Sequence, residues 1–211
     1  MSKKEDMIII EEIENKEEIV VREDNKLEVK REILDWGQLM EMSEIMSKST
    51  IVPAQYQRRP ENVMVALDMA SRMGVSPMVV MQNLHVIQGK PSWSGTAVAS
   101  LIRNSGQFRN VELEYVGERG KDSWGAFVTA ERVSTGKQLK GTTVTIGMAK
   151  AEGWYQKKGS KWQTMPEQML GYRAYSYFGR LYAPELMMGL HSTDEVEDII
   201  TNNEVINPYA K

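Results

Sequence analysis

Apolar residues recur along this chain with two different spacings. Between positions 60 and 73, Val63, Leu67, Ala70 and Met73 return every three or four residues, the period of a helix with one buried face. Pro60 suits its first turn and Gly74 its C-terminal cap. The same spacing in Trp36, Leu39, Met40 and Ser43 predicts a helix over about 35–46, and further helices are expected at 77–82 and 96–104. Strands are expected at 84–87 and 92–94, joined through the turn residues Gln88, Gly89, Lys90 and Pro91 as a small hairpin. From position 108 the period changes to two. Val111, Leu113 and Tyr115 alternate with Glu112 and Glu114, which predicts a strand with one buried and one wet face. Strands over 108–116, 124–133 and 139–146 with short connections predict an antiparallel meander.

Beyond the meander, 147–152 is expected to turn as a helix and 153–163 to form a loop. Thr164 and Glu167 have capping-box spacing and predict the start of a helix that runs to Tyr182 and stops before Pro184. Leu170, Ala174, Phe178 and Leu181 form its expected core stripe, with Arg173, Tyr177 and Arg180 on the adjoining stripe. The expected fold class is α+β: helices packed on a small three-stranded antiparallel meander plus a β-hairpin. It divides into an acidic N-terminal arm (1–32), flexible or loosely docked, a core domain (33–198) and a short C-terminal tail (199–211).

Charge sharpens this picture. The net charge of −3 hides a partition: residues 1–45 carry −7, residues 46–183 carry +9 and residues 184–211 carry −5. Half of the aromatic residues lie between Lys150 and Tyr182, interleaved with Lys150, Lys157, Lys158, Lys161, Arg173 and Arg180. Cations grip phosphates and aromatic faces stack on bases, so this composition fits a single-stranded nucleic acid. Trp162 and Tyr177 adjoin cations and are the stacking candidates; Phe178, Tyr182 and Trp154 read better as core. Lys90 and Trp93 repeat the theme in the hairpin. Each feature has a plainer alternative: ion pairing for the arginines, a solvated loop for the lysines, a packed indole for Trp93. The fifteen methionines, eight of them between Met40 and Met81, read mainly as core filling.

Several chemistries find no support. Cysteine is absent, so there is no thiolate nucleophile, Cys-based zinc site or disulfide framework, and a reducing cytoplasm is the default compartment. His85 and His191 stand apart, His85 as an expected half-buried strand residue. No phosphate-binding G-x-x-x-x-G-K-[ST] loop and no G-x-S-x-G elbow occurs. No apolar run approaches the ~18 residues of a membrane span. Asp194, Glu195, Glu197 and Asp198 offer carboxylates to a divalent cation, against the simpler expectation of a solvated acidic tail.

Several stretches together resemble the RecT family of phage single-strand DNA annealing proteins. They are Gly74-Val75-Ser76-Pro77-Met78, then Gln82-Asn83-Leu84-His85 through Gly89-Lys90-Pro91-Ser92, and Gly153-Trp154-Tyr155 through Lys161-Trp162-Gln163-Thr164-Met165-Pro166-Glu167-Gln168-Met169. Tyr172-Arg173-Ala174 and Arg180-Leu181-Tyr182-Ala183-Pro184-Glu185-Leu186 complete the set, which spans about residues 50–200. The resemblance implies ATP-independent binding of single-stranded DNA and annealing of complementary strands, as rings or helical filaments. It also implies a phage 5′→3′ exonuclease and the host single-strand binding protein as partners, in the cytoplasm of a bacterial host. No catalytic residue is called for; magnesium is compatible with such binding, and ATP has no part in it. Lys90, Trp93, Lys150, Lys157, Lys158, Lys161, Trp162, Arg173, Tyr177 and Arg180 are then the expected DNA contacts, with the sheet and the 164–182 helix walling a narrow groove. The alternatives from other classes are a metal-dependent nuclease or phosphodiesterase using the carboxylates, and an adaptor that binds an acidic partner.

Overall fold

A computed structural model describes residues 18–21, 27–30, 35–87 and 89–200. The first part of the acidic arm, including the aliphatic run at 8–10, lies outside the described residues, as do Gln88 and the tail from 201. The fold is mixed α+β, as expected. The chain divides into two compact units, Met1–Val80 and Met81–Lys211. Among the described residues no single helix is long and apolar enough to cross a membrane.

In the first unit, β1 (Glu18–Val21) and β2 (Leu27–Lys30) pair antiparallel, so one part of the acidic arm pairs with another. The helix α1 (Trp36–Ser47) starts at a reciprocal cap: Gln38 N–H donates to the Asp35 side chain, and the Gln38 side chain accepts from the Asp35 N–H. Its buried stripe is Leu39, Ser43 and Ser47, while Trp36 and Met40, which share the helical spacing, are exposed. The stripe is therefore strictly i, i+4, and serine fills two of its positions. Helix α2 (Pro60–Met73) follows the sequence reading, with Pro60 at its start, Val63, Leu67 and Ala70 buried, and Gly74 in the left-handed conformation at its end (φ 65°). α3 (Pro77–Asn83) spans the boundary between the units.

The second unit opens with the expected hairpin, β3 (Leu84–Ile87) against β4 (Lys90–Trp93). His85 is exposed rather than half-buried. Ser94 caps α4 (Gly95–Asn104), which leads into β5 (Phe108–Val116) and β6 (Gly125–Arg132), paired antiparallel with a bulge between Arg109 and Glu112. The expected third strand divides. β7 (Gln138–Lys140) pairs one end of β6 and β8 (Val144–Thr145) the other. The break falls at Gly141, where a side chain would meet the Phe178 ring and the Val128 carbonyl, each at 3.3 Å.

Next come α5 (Ile146–Ala151), α6 (Lys161–Thr164) and the long α7 (Pro166–Tyr182). The Thr164 cap is corrected: Thr164 ends α6, Met165 precedes α7 without a side-chain cap, and Glu167 instead pairs with Arg119 at 2.9 Å. Pro166 lacks the N–H a cap would serve and presets the helical φ. The chain closes with α8 (Pro184–Met187), β9 (His191–Ser192) and α9 (Thr193–Ile200). β9 adds to the hairpin as a third strand, parallel to β4.

Helix α7 lies directly on the sheet. Phe178 packs edge-on against Phe108 at 5.3 Å, and Gly171 approaches Leu113 so closely that a Cβ would sit 3.0 Å from it. On another side α7 meets α4, where Ile102 lies against Gly179 and Tyr172 against Gly95. Leu170, Ala174 and Phe178 are buried as expected, whereas Leu181 is exposed. A Cβ on Gly95 would come within 2.6 Å of the Tyr172 ring. Gly95→Ala should therefore destabilise the protein by about 1–3 kcal/mol in urea unfolding, as overpacking does. An unchanged midpoint would show that α4 and α7 do not meet this tightly.

Candidate nucleic-acid interface

The ten expected contacts sort by how far protein encloses them, and Arg173 is among the deepest. Arg173 is 2 % exposed. Its Nη2 donates to Asp198 Oδ2 at 2.5 Å and its Nε to Asp194 Oδ2 at 3.4 Å. The guanidinium carbon lies 4.0 Å from the Trp154 ring centroid and 5.7 Å from that of Trp162, and the two indoles are 5.6 Å apart. Burial works against the charge on Arg173, but Asp194, Glu195 and Asp198 more than offset it and hold its pKa above the ordinary value.

Helix α9 supplies these carboxylates. Half of a capping box starts it: the Ser192 N–H and hydroxyl both donate to Glu195 Oε2, at 3.0 and 3.1 Å. One-turn spacing then sets Asp194 and Asp198 on a common face toward Arg173. Glu195 also accepts from Arg180, whose other nitrogen meets His191 Nδ1 at 2.8 Å. Lys157 reaches the far end of the helix. Its ammonium donates to the carbonyls of Glu197 and Asp198 and lies 3.5 Å from the Asp198 carboxylate. Burial lowers its pKa despite that neighbour. Lys161 pairs with Glu197 at 3.6 Å in a more open setting, and Trp162 Nε1–H donates to Asp198 Oδ2 at 3.2 Å.

The expected contacts thus have different fates. Arg173 and Trp162 lie in interior positions, because a helix of opposite charge covers them. Trp93 is interior as well: it is 2 % exposed, and its Nε1–H donates to the Met187 carbonyl. Lys157 is mostly enclosed. Arg180 and Tyr177 remain partly open, with the guanidinium 5.1 Å from the Tyr177 ring. Lys150 is partly open too; it bonds Asp122 at 2.5 Å and lies 5.3 Å from the Tyr155 ring. Lys90, Lys158 and Lys161 are exposed. The groove expected between the sheet and the 164–182 helix is also corrected, since the approach at Gly141 and Gly171 packs α7 against the strands.

Sequence reasoning missed α9 as the partner. Asp194, Glu195 and Asp198 are buried, not a solvated tail. The signal was present in the Ser192-x-x-Glu195 cap and in acids repeating at helical spacing after a basic stretch. Compared with family models, curated proteins and solved structures, the chain gave no match.

The two aspartates are not equivalent. Asp198 accepts from Arg173 and Trp162, whereas Asp194 has a longer bond and a buried Oδ1 without a hydrogen-bond partner. Asp198→Asn should cost about 3 kcal/mol or more in urea unfolding, because it leaves Arg173 buried and poorly paired. Asp194→Asn should cost clearly less, and equal costs would contradict this assignment. Burial pushes the Asp194 carboxyl above the usual range, with Arg173 offsetting only part of it. The native state therefore binds that proton more tightly than the unfolded chain. The group's contribution to stability is present at low pH and is lost as pH rises through its native pKa. The stability of Asp194→Asn relative to wild type should accordingly improve from acid toward neutral pH; a constant difference would argue against it.

Proposed function

We propose that this chain binds single-stranded DNA and anneals complementary strands without ATP, acting as an oligomer on DNA. One observation carries the proposal: stretches of the RecT resemblance that are far apart in sequence form one body in the second unit. The 82–92 stretch supplies the β3–β4 hairpin, whose neighbour Trp93 bonds Met187 just beyond the 180–186 stretch. The 153–169 and 172–174 stretches meet in the stack of Trp154, Trp162 and Arg173.

Exposed Lys90, Lys158 and Lys161 would take phosphates, as would the half-open Lys150 and Arg180. The last two each stand over a tyrosine ring, an arrangement that suits a backbone phosphate beside a base or sugar. Annealing further requires base edges to face outward, so that a second strand can test pairing. Base pairing supplies the driving energy and no covalent bond is broken. Filament neighbours would extend the surface, with an exonuclease and a host single-strand binding protein as the proposed partners. The nuclease alternative draws less support, because Asp194, Glu195 and Asp198 each face a cation of the same chain.

The test mixes complementary labelled oligonucleotides with the protein at low salt, with and without magnesium or manganese. Duplex should form faster than without protein, and both strands should stay intact. Lys158→Ala/Lys161→Ala should slow it and flatten the log–log salt dependence of binding by roughly 1.4, at ~0.7 per lost phosphate contact. Unaccelerated annealing would leave an adaptor for an acidic partner, and cleaved strands would favour the nuclease.

A further inference from the structure

We propose that α9 is an acidic cover, and that the phosphates of a bound single strand displace it from the cations it now occupies. The inference rests on the single-strand binding proposed above and adds its regulation. Every charged side chain between Asp194 and Asp198 is committed to the basic segment: Asp194 and Asp198 to Arg173, Glu195 to Arg180, Glu197 to Lys161. Lys157 and the Trp162 indole hold the same helix. A carboxylate and a phosphate ask the same of a guanidinium or ammonium, namely charge-assisted hydrogen bonds to an anionic oxygen. α9 therefore fills the positions a strand would fill.

Its docking is also imperfect, as a displaceable element requires. Asp194 Oδ1, carried by α9 itself, is buried without a hydrogen-bond partner, which weakens the docking. The Lys161–Glu197 pair is long and about half exposed, where ion pairs contribute little. Release would uncover Arg173, Lys157, Trp154 and Trp162 together, two cations beside two indoles. That set matches a strand's alternation of phosphate and base.

The experiment uses the full chain and oligo(dT). Backbone hydrogen exchange in 193–200 should accelerate when oligo(dT) saturates the protein, while α7 stays protected, and tryptophan emission should shift to the red. Glu195→Gln/Glu197→Gln frees two cations that α9 now neutralises. It should bind oligo(dT) several-fold more tightly, with a salt slope steeper by roughly 1.4. A control with the same charge change outside α9, Glu112→Gln/Glu118→Gln, should leave the slope as in wild type. If bound oligo(dT) leaves exchange in 193–200 unchanged or slower, or if the slopes of the α9 variant and the control agree, α9 is a fixed part of the fold and the cover is overturned while strand binding stands. If neither wild type nor the α9 variant binds oligo(dT), both proposals fall.

Discussion

A guanidinium enclosed by protein must be answered by carboxylates, and much of the second unit follows from how Arg173 is answered. A buried charge without a partner costs several kcal/mol, so the chain cannot bury Arg173 unless Asp194 and Asp198 arrive on one helical face. That fixes the place of α9. The cap at Ser192 and Glu195 then sets where the helix begins, and β9 just before it aligns with β4 of the hairpin. Trp154 and Trp162 complete the enclosure with their ring faces toward the cation, which keeps a planar charge in contact with polarisable surface.

The same constraint connects stability with the proposed activity. Under the proposed cover, Arg173, Arg180, Lys157 and Lys161 would serve the fold by holding α9 and would serve a strand only once α9 yields. The opposed charges of 46–183 and 184–211 then have a structural meaning, because the acidic end of the chain neutralises a basic surface locally. Exposed Lys90, Lys158 and Lys161 would keep long-range attraction for the proposed strand while the deeper cations are covered.

Much of the fold was legible in the sequence because its signals are local. The stripe of α2 with its Gly74 cap, the alternation in β5 and the turn residues of the β3–β4 hairpin each rest on a few neighbouring positions. What failed depended on distant contacts. The third meander strand breaks because Phe178, thirty-seven residues later, needs the space at Gly141. Trp36 and Met40 have helical spacing, yet the buried face of α1 runs through two serines. The cap assigned to Thr164 lost to Pro166, which starts α7 without a side-chain cap. The candidate site shows the limit most clearly. Composition grouped these residues but could not tell a cation facing water from one facing Asp198, since that distinction lies in a helix more than twenty residues away.

Strand annealing is tested most directly by sequential loading. The protein is saturated with one labelled strand, excess free protein is removed, and either the complementary or an unrelated second strand is added without nucleotide cofactor. The complement should be captured faster than by naked strand and remain protein-bound as duplex, while the unrelated strand is left free. Equal capture of both, or a first strand that must dissociate before duplex forms, would contradict annealing on the protein.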